Sequence, residues 1–78
     1  MTERERQMLV VMARFHELSL TDLALRLEMS LPHASRLANG LVDRRLMQRN
    51  RPIRGDDLRR VLFSLTAAGR GAVRGEAA

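Results

Sequence analysis

Seventy-eight residues make one small domain, 1–78, with a core so limited that partners or dimerisation often help to hold it. The absence of cysteine excludes disulfides and thiol redox chemistry, and two histidines without cysteine offer no metal cluster. The formal net charge is +5 and all 14 basic residues are arginine, which suits phosphate forks and guanine edges, so the balance points to an acidic partner.

Thr2 to about His16 predicts a first helix. Thr2 and Glu5 have capping-box spacing. Met8, Val11, Met12 and Phe15 recur at i, i+3, i+4, i+7 as an apolar stripe. Leu9, Val10 and Ala13 are left as a candidate surface for self-contact, with a second around Ala72 and Val73. His16 reads more readily as a partner for the helix dipole than as a ligand. Glu17 to Ser19 is a short connection with room for a single strand pair. Ser19 and Asp22 resemble another capping box, and Leu20, Leu23, Ala24 and Leu27 define a short second helix. Glu28 and Met29 make a turn into Ser30, and two helices joined so closely have helix-turn-helix spacing.

The third helix, 31–44, starts at Ser30, a good N-cap, with Pro32 in the first turn, where a missing N–H costs little. Leu31, Ala34, Leu37, Ala38, Leu41 and Val42 recur at helical spacing. At about 100° per residue, Pro32, His33, Asn39, Gly40 and Asp43 fall within about 60° of Arg36. That face offers hydrogen-bonding groups and little bulk, as a helix that reads base edges in a major groove requires. A solvated face of any amphipathic helix has a similar look, so the flanking sequence decides. Asp43 is the discordant residue, because it repels phosphate.

Leu46 to Arg49 predicts a strand, and Asn50 to Asp57, with Pro52 and Gly55 among charges, a turn or loop. Val61, Phe63 and Leu65 alternate as a second strand with one buried face. Thr66 can cap a last short helix, which Gly69, Gly71 and Gly75 weaken. The expected fold is mainly α with a small β-hairpin: three helices, a two-stranded wing and a fraying C-terminal turn. The charge is concentrated in the wing. Residues 31–43 hold one arginine and one acid, whereas residues 44–60 hold seven arginines against Asp56 and Asp57.

From about Leu18 to Gly69 the chain resembles the winged helix-turn-helix core of MarR-type bacterial transcriptional regulators. The resemblance rests on LTDLALRLEMS, SLPHASRLANGLVDRRL and DDLRRVLFSLTAAG, kept in order and spacing. It implies a recognition helix in the major groove, where Ser35-Arg36 matches the family's Ser-Arg pair, and a wing, 50–60, at the minor groove. There Asp57 and Arg59 match an Asp-x-Arg whose arginine enters or flanks the groove while the aspartate braces it. Arg45 stands where the family usually has glycine after the recognition helix. The resemblance does not extend to the family's long terminal helices, so dimerisation by that route and binding of a small effector are not expected.

The function expected from these readings is sequence-preferring binding of double-stranded DNA in transcriptional regulation. The helix residues for it are Ser30, Pro32, His33, Ser35, Arg36 and Asn39. In the wing they are Arg51, Arg54, Arg59 and Arg60, with Asp57 as brace. A homodimer is expected at least on DNA, in the cytoplasm, with no cofactor, no metal and no membrane. An accessory DNA-binding factor of a mobile element fits the same residues. In a reading of another class, the basic wing docks on an acidic protein. No nucleophile–base pair or paired carboxylates suggest an enzyme.

Overall fold

In the computed structural model the described residues are 1–50 and 61–77. The elements in chain order are α1 (Glu3–Ala13), β1 (Leu18–Ser19), α2 (Leu20–Arg26), α3 (Leu31–Asp43), β2 (Met47–Asn50), β3 (Leu62–Leu65) and α4 (Ala67–Ala77). The strands form one antiparallel sheet in the order β1-β3-β2. Leu18 and Ser19 pair with Phe63 and Leu62, so the expected single strand pair is a two-residue third strand. Met47 pairs with Leu65 and Asn50 with Leu62, so β2 and β3 are antiparallel neighbours over their whole length. The expected fold class holds, with a larger sheet and a fourth helix.

The first three helix starts lie where the caps place them. The hydroxyls of Thr2, Ser19 and Ser30 accept the N–H of Glu5, Asp22 and His33 at 3.2, 3.1 and 3.2 Å. Glu5 completes a capping box by accepting the Thr2 N–H at 3.0 Å. Asp22 is shorter by one methylene, and only the serine half of its box forms.

The two helix ends flanking the helix-turn-helix share one geometry. After α2, Glu28 N–H reaches Leu25 O at 3.3 Å and Met29 N–H reaches Ala24 O at 3.0 Å. After α3, Arg45 N–H reaches Val42 O and Leu46 N–H reaches Leu41 O, both at 2.9 Å. These are Schellman closures, which need a left-handed residue at their centre. Glu28 supplies it with φ 52° and Arg45 with φ 62°. Arg45 therefore adopts the backbone that the resemblance assigns to glycine, at the steric cost of a Cβ.

The core comes from every element except α4. Met8, Leu9 and Met12 of α1, Leu23 of α2, Leu41 of α3 and Met47 of β2 are its largest fully buried side chains. Leu9 is 1% exposed, so it is not available as a contact surface; Met8 and Met12 of the expected stripe are buried with it. Val11 and Phe15 pack at the margin of the core.

α4 forms despite its glycines, and one of them admits it to the fold. A Cβ on Gly69 would lie 2.0 Å from the Leu46 carbonyl oxygen, so only glycine lets α4 sit against the α3–β2 turn. Thr66 fastens the same junction. Its hydroxyl donates to Arg45 O at 2.6 Å and accepts the Gly69 N–H at 3.0 Å, while its own N–H reaches Leu46 O at 3.2 Å. Beside it, Arg44 donates to Glu5 at 2.6 Å and ties α1 to the end of α3. Among the described residues no helix is long and apolar enough to cross a membrane.

Two stability measurements probe this junction. Gly69→Ala should cost about 2 kcal/mol or more in denaturant unfolding, because backbone has to move. Arg45→Gly should gain about 0.5–1 kcal/mol, the relief of the left-handed Cβ less the entropy of a freer unfolded chain. The second concerns pH. Hydrogen bonds from the Thr2 backbone and hydroxyl, with Arg44 nearby, hold the Glu5 carboxyl below its ordinary value. A lowered folded value means that its stabilisation is present above the ordinary glutamate range and is lost as pH falls through the lowered one. Glu5→Gln keeps a capping side chain but no charge. It should cost up to about 1 kcal/mol at neutral pH, since Arg44 is half exposed, and the difference from wild type should vanish in acid.

Candidate nucleic-acid interface

The rotation of α3 is set by Ala34, Ala38 and Leu41, each 0% exposed, which press one side of the helix into the core. The opposite side is the polar face expected from the sequence. Pro32, His33, Arg36 and Asp43 are exposed, and Ser35, Asn39 and Gly40 are half-buried. Ser30 is exposed at the N-terminal tip, with its hydroxyl engaged in capping. Among the described residues the Arg36 guanidinium has no hydrogen-bond or ion-pair partner, so it is available to an acceptor outside the chain.

Asp43 likewise has no ion pair among the described residues and lies exposed at the far end of the helix. Seven residues separate it from Arg36, about 10 Å along the axis. The end that starts at Ser30 carries the partial positive charge of the helix dipole, and the other end carries Asp43. An anionic partner is therefore favoured at the N-terminal end of α3 and opposed locally at Asp43.

Gly40 lies on this face with nothing within 4 Å of the Cβ it lacks. Among the described residues no packing calls for glycine there. Its effect is to keep the surface low one turn beyond Arg36.

One residue of the face is reached by a group that the sequence does not single out. Arg49 of β2 donates from Nη2 to Asn39 Oδ1, and Asn39 Nδ2 in turn donates to Ser35 Oγ at 3.4 Å. In the sequence Arg49 is legible only as one more arginine in a basic stretch. The signal that places it is strand alternation: it shares a sheet face with Met47, Phe63 and Leu65 and lies at the end nearest residues 51–60. The other sheet face carries a polar network. Asn50 donates to Glu17 and to Ser64, both at 2.9 Å, and Gln48 donates to Ser64 at 3.2 Å. These side chains, with His16, Leu65 and Arg70, line an open cleft of about 450 Å³.

Arg51, Arg54, Asp57, Arg59 and Arg60, the residues expected to form the wing contacts, lie outside the described residues. Among the described residues no group of three or more histidine, aspartate or glutamate side chains is placed to hold a metal ion. Gly40→Ala should stabilise the protein by about 0.5–1 kcal/mol, the helix-propensity difference, since no neighbour opposes the new methyl. Thermal or denaturant unfolding of the two proteins checks this.

No protein-family model matches the chain, and no curated protein does. Solved structures do. A mutant of S. aureus MepR is 25% identical and superposes with a TM-score of 0.87 over 96% of this chain and 55% of its own. RV1404 from Mycobacterium tuberculosis is 26% identical, with a TM-score of 0.85 over 95% of this chain and 49% of its own. The S. aureus MepR–DNA complex is 24% identical, with a TM-score of 0.88 over 99% of this chain and 62% of its own. The chain thus spans about half the length of the first structures it matches. These neighbours are MarR-family regulators, and the chain has the winged helix-turn-helix core of that family.

Proposed function

We propose that the chain binds double-stranded DNA with a sequence preference, as the DNA-binding part of a transcriptional regulator. The observation that carries this is the exposed α3 face around Arg36, which has no partner among the described residues, together with the seven arginines that follow in the sequence from 44 to 60. The α3 N-terminus faces the major groove, and Arg36 takes the hydrogen-bond acceptors of a base edge, with guanine as its best partner. Pro32, His33 and Ser35 border that contact and tune neighbouring base pairs. Ser30 caps the helix and presents its dipole to a phosphate. The low surface at Gly40 lets the helix settle into the groove, and Asp43 keeps its far end away from phosphate.

The wing supplies the non-specific grip. Arg51, Arg54 and Arg60 meet phosphates, and Arg59 enters or flanks the minor groove with Asp57 as its brace. This assignment rests on the resemblance and on the concentration of charge. One module buries too little DNA for tight specific binding, so two copies on half-sites about one turn apart are the working assembly. With Leu9 buried, Val10 and Ala13 of α1, or the surface around Ala72 and Val73, remain the candidates for a contact between copies. The MepR–DNA complex supports DNA as the class of partner for the fold.

The roles separate in a salt series on a selected site and a random duplex. Arg36→Ala should weaken the selected site by about 1–3 kcal/mol and relax preference at one or two base pairs. Arg59→Ala should weaken both duplexes and lower the salt slope by about one, with any lost preference being A·T against G·C. If Arg36→Ala weakens both duplexes equally, Arg36 touches only phosphate. An unchanged slope for Arg59→Ala removes the wing from the interface.

A further inference from the structure

The contact between Asn39 and Arg49 has a consequence for how the helix face works. Asn39 has both ends of its amide engaged: Oδ1 accepts from Arg49 and Nδ2 donates to Ser35. An amide keeps a second lone pair and a second N–H, so one site remains at each end, but both ends already answer to neighbours inside the chain. Arg49 is in the opposite situation. Of the five N–H donors of its guanidinium, one goes to Asn39, and among the described residues the others have no acceptor. Its backbone is held in the β2–β3 ladder opposite Phe63, which is 5% exposed, so the side chain projects from a fixed strand.

We propose that Asn39 is a positioning residue, not a base reader, and that it holds Arg49 so that the guanidinium clasps a DNA backbone phosphate beside α3. This rests on the DNA reading above. A phosphodiester oxygen pair matches the guanidinium fork, and the contact to Asn39 uses only one corner of it. An arginine already held in place loses less rotamer freedom when it binds. Being neutral, Asn39 fixes the cation without cancelling it, where a carboxylate would.

The experiment is a double-mutant cycle on the whole chain, with Asn39→Ala, Arg49→Gln and both together, each checked for folding by circular dichroism. Affinity is measured on a selected site, on its single-base variants and on a random duplex, across a salt series. Arg49→Gln should weaken selected and random duplexes alike and lower the salt slope by about one. Asn39→Ala should weaken both about three-fold, the scale of one hydrogen bond. It should leave the base-preference profile unchanged and add nothing once Arg49 is glutamine. In the DNA-free protein the Arg49 Nε–Hε NMR signal should shift on Asn39→Ala. If Asn39→Ala flattens preference at one base pair, or its loss persists beside Arg49→Gln, Asn39 contacts DNA itself and the inference is overturned. Wild-type affinity in both single variants overturns it as well. A wild-type chain that binds no duplex at low salt overturns the DNA reading and this inference together; binding with additive losses overturns this inference alone.

Discussion

The turn Arg44–Leu46 is the fixed point on which the other elements depend. Three consecutive residues there serve four elements. Arg44 reaches Glu5 at the start of α1, Arg45 O accepts the Thr66 hydroxyl that caps α4, and Leu46 closes α3 by its N–H. The Leu46 carbonyl accepts the Thr66 N–H and lies where a side chain on Gly69 would be. One residue later the chain is in β2. The angle between α3 and the sheet is therefore set over a very short distance. A hinge here would leave each part folded and their relation undefined. The Schellman closure, the capped α4 and the Glu5 pair remove that hinge from three directions.

The division of charge fits such a rigid arrangement. The α3 segment is neutral overall, whereas the excess positive charge lies after it. At physiological salt the screening length is about 8 Å, so arginines on the far side of the sheet would act weakly at the helix face. Under the proposed function, the division of charge along the sequence separates phosphate contact from base reading. Arg49, at the end of β2 and in contact with α3, joins the two.

How much of the fold and the interface is legible in the sequence depends on which interactions are local. Three N-caps are one-residue signals acting within three residues of themselves, and Thr2, Ser19 and Ser30 all mark true helix starts. The α3 face emerges from period alone, because its buried side is made of small and aliphatic residues with no competing pattern. Leu9 escapes the periodicity because α1 has apolar residues on adjacent faces, Leu9-Val10-Val11, and only tertiary packing chooses among them. The partners of Arg44, Arg49, Asn50 and Thr66 lie 10 to 39 residues away, and no local pattern announces them.

Glycine usage shows the same limit in another form. Both left-handed positions, Glu28 and Arg45, lack it, while Gly69 sits inside a helix, where its propensity is poor. Propensity alone predicts the reverse. A left-handed side chain on the surface costs about 1–2 kcal/mol, which a small domain can bear. A methyl 2.0 Å from a backbone oxygen cannot be accommodated without moving α4. Steric exclusion therefore decides Gly69, and the tolerable strain at Arg45 is left in place. Gly40 belongs to neither case: it is not left-handed, and nothing among the described residues approaches the Cβ it lacks. Gly71 and Gly75 are equally open, so what sets Gly40 apart is its place on the face that also carries Arg36.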